Sequence, residues 1–413
     1  MSSLTKAYCQ SLDDRDPIAA QRDAFEIPEG LIYLDGHSLG AMPKAALQRI
    51  TQATSVEWGR DLIGSWNSAG WFQKPYSLGA RLASMIGAAD DEVVVTDTTA
   101  INIFKVAAAA LALRPDRKVI VMEGSNFPTD NYIVQGLVGL LDRGYEIRFA
   151  EKPDLLDALD ETVVAAILTQ VHYKTSHVLD MAAITRRIHD VGALAIWDLC
   201  HSAGVLPVDL NAVGADYAVG CTYKYLNGGP GSPAFIFAAK RHHGQSIQPL
   251  TGWWGHAAPF AFDRDYRPAE TISQMLTGTQ PMLSMAAMEA GLELAAGADA
   301  LLVRAKVCAL GDLFIQLMDE RCAEFGFTLI SPRLGVERGG HVAFDHPEGY
   351  PILRALAQRS VIGDFRAPET MRFGLAPLYI RYVDVWDAVA LIAEIMRTRA
   401  WDHPDMKRRE AVT

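Results

Sequence analysis

Residues 193–204 read ALAIWDLCHSAG, and residues 215–231 read ADYAVGCTYKYLNGGPG. In the first stretch an apolar run, Ala193 to Trp197, stops at a carboxylate, Asp198. In the second, Ala218 to Cys221 run into Thr222, Tyr223 and Lys224, and a glycine-rich loop follows. Short continuous apolar runs bounded by polar residues suit strands buried on both faces of a sheet. In an open α/β sheet, ligands gather beyond the carboxyl ends of the strands. Asp198 and Lys224 are therefore expected to face one crevice.

An isolated lysine at a strand end is usually a solvated charge, and an aspartate there often caps the next helix. An acid and an amine at neighbouring strand ends are also what pyridoxal phosphate chemistry requires. The amine forms a Schiff base with the cofactor, and the acid keeps the pyridine nitrogen protonated.

Outward from this centre, strands and helices alternate. EVVVTD (92–97) is a strand, and Thr98, Thr99 and Ala100 open a helix. Free N–H groups, hydroxyls and the helix dipole favour an anion at such a start. KVIVME (118–123) is a second strand and ends in GSNFPTDNY. Phe127 is held extended by Pro128, and Asp130 lies near the next helix start. Phe127 is placed to lie on a flat ring and Asp130 to bond to a ring substituent. A hydrophobic staple with an acidic cap would use the same residues. Strand 163–169 ends at Thr169, and helix 181–191 precedes the central strand. Helical turns are also expected at 44–64, 75–87 and 153–160. This rhythm implies an α/β fold with a mainly parallel sheet between helices. From about residue 282 the chain turns helix-rich and then α+β. We therefore expect an N-terminal segment (1–45) against a small domain, a large domain (46–280) and a small C-terminal α+β domain (281–413).

The chain has 413 residues and a formal charge of −11, which argues against nucleic acid or an anionic membrane as a partner. Five scattered cysteines form no CxxC pair, so neither a disulfide framework nor a structural zinc site is expected. No apolar run is long enough to span a bilayer, and the first residues do not read as a secretory signal. A cytoplasmic location is expected. Asp198 and His201 lack further ligands nearby, so no metal is expected. Arg372 sits among apolar residues on a short strand and must be paired, by a substrate carboxylate or by an internal acid.

Eight segments in order, LDGHSLG, SWNSAGW, NFPTD, WDLCHSAG, CTYKYLNGGPG, GWWGH, GTQP and MRFGLAPLY, carry a family likeness along nearly the whole chain. The chain resembles the kynureninases, fold-type-I pyridoxal phosphate enzymes related to the class V aminotransferases. His37 departs from the asparagine usual there, and Ala100 offers phosphate only its backbone N–H. The resemblance implies a seven-stranded, mainly parallel sheet and a homodimer. It also implies hydrolytic Cβ–Cγ cleavage of L-kynurenine to anthranilate and L-alanine in tryptophan catabolism, with 3-hydroxykynurenine a possible second substrate. Lys224 is implied as the Schiff-base lysine, Asp198 as the pyridinium partner with His201 beside it, and Tyr223 as a proton shuttle. Phe127 would stack on the ring, Asp130 would support it, and Thr169 would approach its oxygen. Thr99, Ala100, Tyr223, Trp253 and Thr279 would hold the phosphate, some of them from the partner subunit. Arg372 would clamp the substrate carboxylate, and His37, Ser38, Trp66 and His256 would form the aromatic pocket.

Competing readings are a cysteine desulfurase, a transaminase, a cofactor-binding protein without turnover and a zinc hydrolase. A desulfurase needs a nucleophilic cysteine on a C-terminal loop, and no cysteine follows Cys322.

Overall fold

The computed structural model describes residues 4–152 and 154–409. Its centre is a seven-stranded sheet: β1 (Val93–Val95), β2 (Val119–Glu123), β3 (Glu146–Ala150), β4 (Val163–Thr169), β5 (Leu194–Asp198), β6 (Tyr217–Gly220) and β7 (Phe235–Ala238). The spatial order is β1-β7-β6-β5-β4-β2-β3. Only β7 runs against its neighbours, β1 and β6. The mainly parallel sheet is thus present; β4 keeps the limits its apolar run suggested, and β5 starts one residue later, at Leu194 instead of Ala193. Their residues are buried throughout because helices cover both faces. Val163, Ala166 and Leu168 pack into one side, with Leu82 and Ile188. Val164, Ala165 and Ile167 pack into the other, with Val106 and Val134.

Strand register does the positioning. Thr169 lies beside Asp198, and Asp198 beside Val219. The chain leaving β6 therefore carries Tyr223 and Lys224 over the ends of β4 and β5.

A second, antiparallel sheet joins β8 (Thr328–Leu329), β9 (His341–Asp345), β10 (Asp364–Arg366) and β11 (Thr370–Gly374) in the order β8-β9-β11-β10. Its core also takes Cys9, Phe25 and Leu34 from the start of the chain. Ile32–Tyr33 pairs in parallel with Val361–Ile362, which hangs the turn 35–40 between the two sheets. Gly40 donates its N–H to the Tyr223 carbonyl at 2.7 Å. A Cβ at Gly40 would stand 2.3 Å from the Lys224 carbonyl oxygen, so only glycine lets the turn approach this closely.

Several local expectations change. The helix from Lys44 ends at Gln52 and passes into a wider turn, Ala53–Trp58. Residues 154–158 form turns instead of helix, and residue 153 lies outside the described residues. Strand β3 was not foreseen, because its half-exposed residues at the sheet edge do not form an apolar run. The segment VIGDF (361–365) divides between two short strands, Val361–Ile362 and β10. Helix Met282–Gly297 lays Met285, Met288 and Leu292 into the core of the large sheet. Among the described residues, no helix is long and apolar enough to cross a membrane.

Candidate active site

A cavity of about 370 Å³ opens at the carboxyl ends of β4, β5 and β6. It gathers Thr99, Ala100, Phe127, Asp130, Thr169, Asp198, His201, Tyr223 and Lys224 from the large unit. The small sheet contributes Arg372, and the turn contributes His37 and Ser38.

At the floor, Asp198 and Asp130 are only 4% and 3% exposed and lie against each other. Asp198 also accepts the Cys200 N–H at 2.7 Å. Burial first, and the Asp198 charge second, hold the Asp130 carboxyl well above the usual carboxylate range. Asn126 locks Asp130 in place, donating from Nδ2 to Oδ2 at 2.9 Å. Its Oδ1 accepts the Thr169 hydroxyl at 2.6 Å and the Phe127 N–H at 2.7 Å. One asparagine thus aligns three of the expected site residues. Sequence reading passed over it because nothing in NFPTD shows that its side chain turns inward.

Lys224 Nζ lies 2.9 Å from His201 Nε2. Burial, then the Lys224 charge, push the His201 imidazole well below 6.5, so it is neutral. A neutral ring accepting from Lys224 at Nε2 carries its hydrogen on Nδ1, and that atom is buried without a partner. Tyr223 is raised above the ordinary phenol range by neighbouring Cys221 and by burial, which keeps its hydroxyl a donor.

Helix Thr99–Leu113 points its N-terminus at the cavity, with Thr98 as its cap. The residue before the cap, Asp97, has a φ of +45°. Lys105, fully buried, holds it there by bonding to Asp97 Oδ2 and to the Met275 carbonyl, each at 2.6 Å. The exposed N–H groups and hydroxyls of 98–100 form an anion cradle.

On the opposite wall, Arg372 is forked onto Asp364, with Nε to Oδ1 at 2.7 Å and Nη2 to Oδ2 at 2.5 Å. Its Nη1 bonds to the Tyr173 carbonyl, and Ser38 Oγ donates to Asp364 at 3.0 Å. Arg372 therefore both lines the cavity and has an internal acid. His37 lies 3.5 Å from Asp35 and 3.7 Å from Asp364, and its ring stacks on His341 at 4.9 Å. Tyr173 and Arg366 also line the cavity and escaped the sequence reading. Each sits on a loop or edge strand whose side-chain direction depends on the small sheet's position.

Four expected residues are not brought to this cavity by the single chain. Trp66 and Trp253 pack with Trp254 and Phe72 in an aromatic cluster. His256 packs edge-on against Tyr266 and lines a separate depression with Trp253. Thr279 is exposed on its loop.

The residues fit pyridoxal phosphate. Two buried carboxyls side by side suit a protonated ring nitrogen, an aromatic side chain forms one wall, and an amine stands between these and a helix N-terminus suited to phosphate. Asp35, His37 and Asp364 come close enough to share an ion, but the Arg372 and Arg366 guanidiniums already neutralise Asp364.

A family model described as the kynureninase C-terminal domain matches residues 303–392. The kynureninase of Burkholderia mallei (strain SAVP1) is 52% identical over 99% of this chain and 100% of its own length. That of Pseudomonas fluorescens is 51% identical over the same shares. Among solved structures, apo cysteine desulfurase from Thermococcus onnurineus NA1 superposes with a TM-score of 0.78 over 92% of this chain and 98% of that one, at 17% identity. The cystine C–S lyase C-DES, in complex with cysteine persulfide, superposes with a TM-score of 0.72 over 89% and 98%, also at 17% identity. At such identity these two structures establish the fold alone, whereas half-identity over the whole length establishes kinship. The chain belongs to the kynureninase family.

Proposed function

We propose that this cavity performs hydrolytic Cβ–Cγ cleavage of L-kynurenine, releasing anthranilate and L-alanine, with pyridoxal 5′-phosphate as cofactor. The observation that carries the reading is the convergence of Lys224 and the Asp130–Asp198 pair on one cavity that opens onto Arg372. The cofactor supplies an aldehyde that condenses with amines and a ring that accepts electrons while its nitrogen is protonated.

Asp198 holds a proton at that nitrogen, and Asp130, aligned by Asn126, braces it. Phe127 offers a flat apolar face. Thr99 and Ala100 would present N–H groups to the phosphate, and Tyr223 would add its hydroxyl. Lys224 would hold the cofactor and, once freed, would take the α-proton of the substrate, with His201 Nε2 at 2.9 Å ready to share it. Tyr223 is near enough in the chain to return a proton to carbon. Arg372 receives the α-carboxylate, while His37 and Ser38 border the aryl end.

The same reading makes the enzyme a cytoplasmic homodimer acting in tryptophan breakdown, with Trp66, Trp253, His256 and Thr279 supplied across the dimer interface. Support for self-association comes from Leu47, Trp58, Leu62 and Ile63, which expose 58–80% of their surface within one stretch of chain.

Lys224→Ala tests the reading. Anthranilate fluorescence from L-kynurenine, with no keto acid added, should fall about 10⁴-fold. The visible absorbance of the bound cofactor should change with it. A wild-type protein that releases no anthranilate and consumes L-kynurenine only when a keto acid is added is a transaminase, and a fully active variant sinks the lysine assignment.

A further inference from the structure

We propose that Arg366 is the second arm of the α-carboxylate site and supplies the net positive charge that Arg372, neutralised by Asp364, lacks. This rests on the reading that the substrate is an α-amino acid.

Asp364 faces Arg372 across β10 and β11, and Arg366 faces Thr370. Asp364 and Arg366, two apart on β10, project to the same face. Both arginines line the cavity. The Arg372 donors are nearly exhausted. Nε and Nη2 are taken by Asp364, Nη1 serves the Tyr173 carbonyl, and Nη2 also lies 3.4 Å from Ser38 Oγ. Of five N–H groups, about one remains for a ligand. Arg372 and Asp364, each 2% exposed, form a closed pair of zero net charge.

Arg366 differs on each count. Its Nη2 lies 2.7 Å from Asp364, which already has a partner, so its own charge stays in excess. Its Nε is buried with no hydrogen-bond partner, while its side chain remains 37% exposed. The groups around the pair add little negative charge. Burial, then Asp364, raise the Asp35 carboxyl to about 7. Burial, then Arg372, lower His37 to about 4, so it is neutral. His341, buried against His37, is neutral as well. Two guanidiniums against Asp364 and a partly protonated Asp35 leave a net positive charge, which a substrate carboxylate would offset.

The test compares wild-type holoenzyme with Arg366→Gln and Arg366→Lys. Arg366→Gln should raise KM for L-kynurenine about 10- to 100-fold, as loss of a charge-assisted bond does. Its kcat and the visible absorbance of the bound cofactor should stay near wild type, and Arg366→Lys should recover part of the affinity. Binding of L-alanine, followed by that absorbance, should weaken by the same factor, whereas ethylamine, which has no carboxylate, should bind unchanged. An unaltered KM and L-alanine affinity, or equal losses for alanine and ethylamine, would overturn the proposal. If the wild type gave no anthranilate, the functional reading would fail, and the alanine–ethylamine comparison would still decide the role of Arg366.

Discussion

Asp198 and Asp216 sit at opposite ends of the same two strands, both buried, and their surroundings are opposites. Asp216 enters β6 at the end of the sheet away from the cavity. It accepts from His189 Nε2 at 2.8 Å, His242 Nε2 at 2.7 Å, Arg241 Nη2 at 2.7 Å and the Ala195 N–H at 2.8 Å. Burial alone would raise its pKa, but these bonds together hold it well below the usual range. Asp198 has a single backbone N–H and a second carboxyl, Asp130. A saturated buried carboxylate holds the fold together. A buried carboxylate set against another carboxyl is a site prepared for a cation, and its cost to the fold is repaid when the cation binds.

Three measurements would break or sharpen this contrast. The largest effect belongs to Asp198→Asn. Anthranilate formation should drop about 10³-fold with little change in melting temperature, because the amide cannot keep a pyridine nitrogen protonated. Asp216→Asn should do the reverse. It strands His189, His242 and Arg241 around a neutral group, so denaturant unfolding should show a loss of about 3 kcal/mol while kcat per folded molecule is kept. An Asp216 variant that folds normally but turns over slowly would erase the distinction.

The smallest effect is in the pH dependence of the cofactor-free protein. The Asp130 pKa is raised on folding, so the folded state holds an extra proton, and stability from this group is lost as pH rises above the ordinary value of 3.8. Asp216, with a depressed pKa, contributes stability that is present above 3.8 and lost as pH falls below it. Asp130→Asn should flatten the first slope, leave the acid limb in place and weaken cofactor binding by about tenfold. Unfolding free energies at pH 4, 6 and 8 would resolve the two limbs. Asp35 and Glu123, both raised to about 7 by burial, keep part of that slope in either protein; an upper slope as steep in Asp130→Asn as in the wild type would refute the raised Asp130 pKa.

Legibility varied along the chain for physical reasons. β4 could be read to the residue, and β5 to within one residue, because strands buried on both faces need unbroken apolar runs. β3 could not, since an edge strand half in water carries no such signal. In the site, Lys224, Asp198, Thr99 and Phe127 were visible because each follows a strand or opens a helix. Asn126, Tyr173 and Arg366 were not, because their roles depend on which way a loop or edge side chain turns. The sequence alone leaves Arg372 between a substrate carboxylate and an internal acid. The structure places it against Asp364 and at the cavity wall together.

The sequence by itself determined the alternation of buried strand and helix, and with it the position of an acid and an amine at neighbouring strand ends. Local periodicity and strand-end chemistry are enough for that. Only the tertiary structure decided that Asp130 meets Asp198, that Asp364 neutralises Arg372, and that Trp66, Trp253, His256 and Thr279 stay outside the cavity of their own chain. Those outcomes depend on distances between segments far apart along the chain, set by the packing of two sheets and the turn between them.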